Sequence, residues 1–343
     1  MSVTIKDVAK EANVSPSTVS RAISNSPRIS KKTKKKIENV IKKLNYHPNA
    51  IARSLANKAT NVIGIILTNE IEGLTKNSFF IQLMTGISSY AKQHGYYIMY
   101  TFCATYEEEL RCAKDYVNGK LVDGIILGSV RTNDKCIRYL KQIDFPFVII
   151  GRPENTKETL WVDNDNFNAM YNVVSKLLLS GYKKIAFIAP KVEMNVSKDR
   201  LSGYIQAHNI NGVDVDRDLI KEVGAFKEEC GYKSMKEIIK KSIPSAVVAA
   251  DDLLAFGAIR ALRESDVRNA AVVGFNNTPQ AEYYKPSLTS VDINVRELGY
   301  YASKLLVDML RNNIRENHYI IQTRVAERET AKFNKINPIS ISL

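Results

Sequence analysis

Over two helical turns the chain places Ser15, Pro16, Ser17, Thr18, Ser20 and Arg21 close together, a set of short hydroxyls and one guanidinium. Small donors and acceptors of this kind read base edges in a DNA major groove, and arginine also grips phosphate. Residue types suited to bond-making chemistry are poorly grouped. His47, His94, His208 and His318 have no carboxylate or serine motif beside them and read as isolated surface residues. GxSxG, P-loop and HExxH patterns are absent, so no catalytic residues are expected. The Asp251-Asp252 pair precedes a helical stretch, which suggests ligand contact and N-capping rather than a metal. Cys103, Cys112, Cys136 and Cys230 form no CxxC and read as inert thiols of a reducing compartment. Neither a metal nor a cofactor is expected.

The elements that must position those hydroxyls are legible. Ile5, Val8, Ala9 and Ala12 recur at helical spacing behind Thr4, a cap, with Asp7 three residues on. Asn13 suits the left-handed turn that follows. Ser15 caps a second helix that runs to about Ile23, with Pro16 where a missing N–H costs nothing. A third helix, about Lys31 to Leu44, buries Ile37, Val40, Ile41 and Leu44 and turns lysines outward. This is a helix-turn-helix with a supporting helix. Its charge agrees: ten lysines and three arginines against Asp7, Glu11 and Glu38 put +10 of the chain's +13 in residues 1–60. A basic module joined to a nearly neutral remainder is the footprint of a phosphate-backbone binder. Within Tyr46 to Asn57, the stretch after Pro48 and the potential cap Asn49 is then compatible with about two helical turns, which are marginal alone in water.

Beyond Asn61 strands and helices alternate, from Val62–Leu67 to Phe147–Ile150, and again after Trp161-Val162 to Val272–Gly274. Such βαβ alternation predicts parallel sheets in two Rossmann-like lobes, with a ligand cleft where strand C-termini meet. The N-terminus lacks an apolar signal region and no apolar run approaches the length that spans a bilayer, so a soluble, cytoplasmic protein with no membrane partner is expected. Lys332 to Leu343 carries no heptad repeat, which favours a dimer over a tetramer.

Four blocks in order, TIKDVAKEA, VSPSTVSR, NYHPNAIARSL and NVIGIIL, resemble the opening of the lactose-repressor (LacI/GalR) family of bacterial regulators. VDNDNF, GYKKIAFI, DRLSGY, VAADDLLAFGAIRAL and VVGFNN extend the resemblance to about Thr330. It implies an all-α helix-turn-helix domain at 1–48, a hinge helix and linker at 49–60, and an α/β two-lobe, periplasmic-binding-protein-like effector domain at 61–331, with a tail at 332–343. Lobe 1 would hold about 61–161 and 291–322, and lobe 2 about 162–290 and 323–331. The resemblance adds Thr4, Asn25, Tyr46, Asn49, Ala52 and Arg53 to the DNA contacts, and makes Leu55 the hinge leucine that wedges a central base step. It makes Arg200 the grip on ligand hydroxyls and Asp251 and Asn276 further contacts, with Phe226 as an aromatic wall. Phe79, Phe80, Arg152 and Asp165 would also face the effector. Carboxylate, amide, guanidinium and aromatic partners suit a sugar.

Plainer roles remain open for some of these: core packing for Phe79 and Phe80, a helix cap for Asp165, crossover packing for Trp161. The expected protein is a homodimeric repressor of carbohydrate-utilisation genes acting on a pseudo-palindromic operator. SPSTVSRAISNSPRISKKTK, NAIARSLANKAT and IIGRP are most similar to maltose-operon repressors of Gram-positive bacteria, which implies maltose or a maltodextrin. A catabolite-control regulator answering to a phosphorylated carrier protein is the alternative within the family. A sugar-binding transport protein is the alternative outside it, and would lack the basic module.

Overall fold

Thr4 and Asp7 fasten the first helical turn: the Asp7 carboxylate accepts from the Thr4 backbone N–H at 2.8 Å and from its hydroxyl at 2.7 Å. These donors hold the Asp7 carboxyl below its ordinary range. Helix α1 (Ile5–Glu11) ends at Asn13, whose φ of 48° is the left-handed turn its residue type permits. Ser15 Oγ accepts the Thr18 N–H at 3.1 Å to open α2 (Pro16–Ile23). Ser30 does the same for Thr33 at the start of α3 (Lys31–Lys43). Val8, Ala9, Ala12, Val19, Ile37 and Tyr46 form the core of this three-helix unit, ringed by Ile5, Val14, Ile23, Val40, Ile41 and Leu44. The computed structural model describes residues 3–23, 26–46, 59–68, 78–191 and 194–333, in two compact units, 1–60 and 61–343.

In the second unit, apolar runs such as Gly124–Leu127 and Phe147–Ile150 are buried on both faces, as parallel strands under helices require. The order is β1 (Val62–Thr68), α4 (Phe79–Gln93), β2 (Tyr97–Cys103), α5 (Tyr106–Asn118), β3 (Gly124–Leu127), α6 (Lys135–Gln142), β4 (Phe147–Ile150) and β5 (Leu160–Asn164). There follow α7 (Asn166–Leu179), β6 (Ile185–Pro190), α8 (Asn195–Ile210), a 3-10 turn, β7 (Ile220–Val223), α9 (Glu228–Lys241), β8 (Ala246–Ala249), α10 (Asp252–Glu264) and β9 (Ala271–Phe275). The last elements are α11 (Pro279–Tyr283), β10 (Thr289–Asp292), α12 (Val295–Leu310), β11 (His318–Ile321) and β12 (Arg324–Ala326). Two six-stranded sheets result, ordered β11-β5-β4-β3-β1-β2 and β12-β10-β9-β8-β6-β7. Every pairing is parallel except β10 with β12.

The chain passes between sheets after Asn164, again between β10 and α12, and again between β11 and β12. The first passage, which the resemblance implies near Trp161, follows Asn164, because Asp163 and Asn164 still pair in the first sheet. Asn164 ties the passages together: its side-chain amide donates to the carbonyls of Ile293 and Ile321, each at 2.9 Å.

Helix α12 is the largest element not anticipated from sequence. It lies against α4 at two glycines. A Cβ on Gly86 would sit 2.0 Å from the Arg296 carbonyl oxygen, and one on Gly299 would sit 2.2 Å from that of Leu83. Backbone cannot yield as a side-chain tip does, so Gly299→Ala must push the two helices apart. Overpacking of this kind costs about 1–3 kcal/mol. Urea denaturation of the variant should show a lower midpoint with an unchanged slope; an unaltered midpoint would mean the helices are not in this contact.

Candidate functional site

Helix α2 carries the first candidate site. Ser17, Ser20 and Arg21 are exposed and Thr18 is half-buried, while Val19 between them fills the core. The Ser15 hydroxyl lies 2.7 Å from that of Ser17 and 2.8 Å from that of Thr18, so three hydroxyls share protons at the start of the helix. Such a cluster can donate or accept as a base edge demands. Exposed lysines of α3 (Lys31, Lys32, Lys35, Lys36, Lys42 and Lys43) supply positive charge on the same unit. Thr4 is exposed beside α1. Tyr46, expected at the DNA, packs in the core of the three-helix unit, where its large apolar face helps close the bundle. Asn25, Asn49, Ala52, Arg53 and Leu55 lie outside the described residues.

The second candidate site gathers at the C-terminal ends of strands from both sheets. Arg200, on α8, is 4% exposed. Its Nε donates to Asn166 Oδ1 at 3.0 Å, its NH1 to the Ala250 carbonyl at 2.7 Å, and its guanidinium carbon lies 4.1 Å from the centre of the Phe275 ring. Asn166 passes the contact on, donating to Asp163 Oδ1 at 3.0 Å. A chain of bonds thus runs from the second lobe's helix to the first lobe's strand β5. Burial lowers the Arg200 pKa to about 10 against the opposing pull of Asp163 and Asp251. It raises Asp163 to about 6, despite N–H groups of Asn164 and Arg152 on its oxygens.

Asp251 caps α10 by accepting the Leu253 N–H at 2.7 Å, and its other oxygen accepts from Asn276 Nδ2 at 2.7 Å. Its neighbour Asp252 is fully buried and takes the Thr278 N–H, the Thr278 hydroxyl and the Ser290 hydroxyl. Burial raises its carboxyl to about 7, helped by Asp251 and opposed by those donors. The pair therefore splits its roles: Asp252 stitches the sheet end, while Asp251 and Asn276 face each other beside the Arg200 partner Ala250. The buried hydroxyl of Ser197, one turn before Arg200 on α8, has no hydrogen-bond partner among the described residues.

Arg152 is exposed and reaches across the lobes, donating to Asp199 Oδ1 at 2.6 Å, and its carbonyl accepts from Asn195. Lys198 bonds Thr132, and Arg131 bridges Met194, so the start of α8 meets two loops of the first lobe. Phe79 and Phe80 open α4 half-buried, edge to face at 5.2 Å, with Phe80 also against Phe102. Phe226 is half-buried against the core of the second lobe. Asp165 stands apart: it is exposed, and its carboxylate caps α7 by accepting from Asn168. Trp161 is buried and stacks on His318 at 4.6 Å. His208 is not a surface residue, for it is buried on α8 against the Tyr204 ring and carbonyl, and burial lowers its pKa.

Sequence reading passed over Asp163, Ser197 and Asp199, and marked Asn166 beside Asp165 in the family motif without giving it a ligand role. Asp163 and Asn166 stand in the same VDNDNF motif that drew attention to Asp165. Their signal was the cap itself: once Asp165 and Asn168 are recognised as an N-cap pair, the residues flanking it turn inward. Among the described residues no group of His, Cys, Asp and Glu could hold a metal ion, and no helix is long and apolar enough to cross a membrane.

Residues 4–49 match the family model described as bacterial regulatory proteins, lacI family, and residues 174–331 match a periplasmic binding protein-like domain. The HTH-type transcriptional regulator MalR of Streptococcus pneumoniae is 36% identical over 315 residues, covering 91% of this chain and 94% of that protein. A solved complex of the transcriptional regulator CelR with cellobiose superposes with a TM-score of 0.75 at 28% identity, covering 96% of this chain and all of that one. The structure of a probable maltose operon transcriptional repressor, malR, from Staphylococcus aureus superposes at 0.73 with 26% identity, covering 79% and 98%. The four sequence blocks, the three-helix unit and the paired sheets agree with these likenesses: the chain belongs to the lacI family of bacterial regulatory proteins, as a sugar-responsive transcriptional repressor.

Proposed function

We propose that this repressor takes maltose or a maltodextrin between its lobes and thereby controls carbohydrate-utilisation genes. The observation that carries the reading is the placement of Arg200. A guanidinium has five N–H groups, and the two bonds described for it engage Nε and NH1 only. A sugar hydroxyl pair suits the remainder, with Asp251 and Asn276 as acceptor and donor beside it and the Ser197 hydroxyl in need of a partner. Phe79, Phe80 and Phe226 would offer aromatic faces to the C–H side of the ring, and Arg152 would close over it. Asp163 takes the place first given to Asp165. The likeness to a maltose operon repressor favours an α-linked glucoside over other sugars. Calorimetry against maltose, maltotriose, cellobiose, lactose and glucose tests this: heat is expected with the first two, and binding of cellobiose or lactose alone would sink it.

The same reading divides the chain into a DNA-reading module at 1–48, a hinge at 49–60 and an effector unit at 61–331. It makes the protein a homodimer on a pseudo-palindromic operator, since a twofold dimer reads two half-sites alike. Light scattering at micromolar concentration should report two chains per particle, and a tetramer would contradict it.

Leu55 is the proposed wedge in the minor groove. Unstacking a base step costs about a few kcal/mol, offset by burying the apolar side chain. Leu55→Ala should therefore lose most of its preference for operator over scrambled DNA, while weak binding to either persists through lysine and arginine. Unchanged discrimination in a gel shift would remove Leu55 from that role.

A further inference from the structure

Cys103 closes strand β2 and Cys112 lies on the following helix, α5. Their sulfur atoms are 3.5 Å apart, with the Cys103 thiol donating to Cys112. The intervening turn is well pinned: Thr105 caps α5 by accepting the Glu108 N–H, and the Glu108 carboxylate accepts the Ala104 N–H at 2.8 Å. The approach of the two thiols is therefore set by the strand-to-helix connection. A disulfide needs about 2.05 Å, so about 1.5 Å of sulfur movement would close one. Access differs between the partners, since Cys103 is buried and Cys112 is half-buried. Burial and the neighbouring Cys112 push the Cys103 thiol up to about 12, and Glu109 and Glu108 add to it, so that thiol stays protonated. Attack on an oxidant falls to Cys112, and Cys103 is placed to resolve the product.

We propose that Cys103 and Cys112 form a modification site for hydroperoxides, closing to an intramolecular disulfide. The Cys112 sulfur attacks one peroxide oxygen, the O–O bond breaks, and an alcohol, or water from hydrogen peroxide, leaves with the proton. Cys112 is then a sulfenic acid. The Cys103 sulfur attacks it, the S–O bond breaks, and water leaves with the Cys103 proton. Two thiols are oxidised by two electrons and one peroxide is reduced. Closure would act near the lobe contact, because Glu109, on the same helix as Cys112, pairs with Arg131, whose backbone bridges Met194.

The test treats the full-length protein with hydrogen peroxide, alkylates it and maps its peptides. The four thiols should fall to two, with the Cys103 and Cys112 peptides joined, less two hydrogens, and separated again by dithiothreitol. A Cys136→Ser, Cys230→Ser variant should behave as the wild type. Cys103→Ser, folded by circular dichroism, should stop at a Cys112 sulfenic acid that dimedone traps. Four alkylatable thiols after peroxide, a bridge that uses Cys136 or Cys230, or a bridge between two chains would each overturn the proposal.

Discussion

Between 50 and 200 mM salt, operator affinity should fall by roughly 10³–10⁵-fold, the range for a protein that neutralises six to ten phosphates. The expectation follows from where the charge sits. Residues 1–60 carry +10 and the remaining 283 only +3, so nearly all of the attraction to DNA is held by one small unit. Each phosphate neutralised releases condensed counterions, and the logarithm of the binding constant then falls linearly with the logarithm of salt at about −0.9 per contact. Two such modules on a palindrome provide enough contacts for that range. The α2 hydroxyls add discrimination but little slope, because neutral groups release no counterions. Fluorescence anisotropy on operator and scrambled duplexes would separate the two terms: both curves should be steep, and their separation should persist. A flat salt dependence, or equal affinity for the two duplexes, would contradict this account.

Arg200→Ala should bind its operator as the wild type does and yet fail to respond to sugar. Removing a charged double donor from a buried site costs about 2–3 kcal/mol of ligand binding, roughly a hundredfold. Linkage supplies the rest: a ligand shifts the lobes only by its differential affinity for their two arrangements, so losing the anchor loses the shift. The substitution also deprives the Ala250 carbonyl and Asn166 of their donor, so some loss of stability is expected beside the loss of response. Arg200→Lys separates the effects, keeping the charge and losing the planar fork. It should recover stability more fully than affinity. Calorimetry with maltose, run beside a gel-shift titration, provides both readouts. Normal sugar binding by the alanine variant would remove Arg200 from the effector site.

The helices of the first unit were legible because each carries its own start signal. Thr4 and Ser15 are caps, Pro16 and Asn13 mark one start and one turn, and Ser30, not read as a cap in the sequence, carries the same signal, so the structure's bounds differ from the sequence reading by a residue or so. Helix α12 escaped despite Leu298, Ala302, Leu305 and Leu306 at helical spacing. Its N-cap, Asn294, makes no side-chain cap bond, and Gly299 interrupts its middle. That glycine is a packing requirement that only the partner helix α4 explains. Strands β7, β10, β11 and β12 are three or four residues long and carry polar residues, so they lack the apolar run that revealed β3 and β4. In the proposed effector site, single residues were nameable but most of their neighbours were not. Arg200 and Asn166 are 34 positions apart, and Asp251 and Asn276 are 25 apart. Such separations carry no local periodicity, so only the sheet order brings them together.

Asn164 acts on the mechanics of the lobes without being part of any site. Two bodies joined by three independent strings can twist, slide and tilt, and a ligand's pull is then divided among all three motions. With the Asn164 amide holding Ile293 and Ile321, the strings become one pivot, and sliding or tilting requires breaking a buried hydrogen bond. A ligand's pull on the lobes is then divided among fewer motions, and more of it goes into bringing the two sheets together.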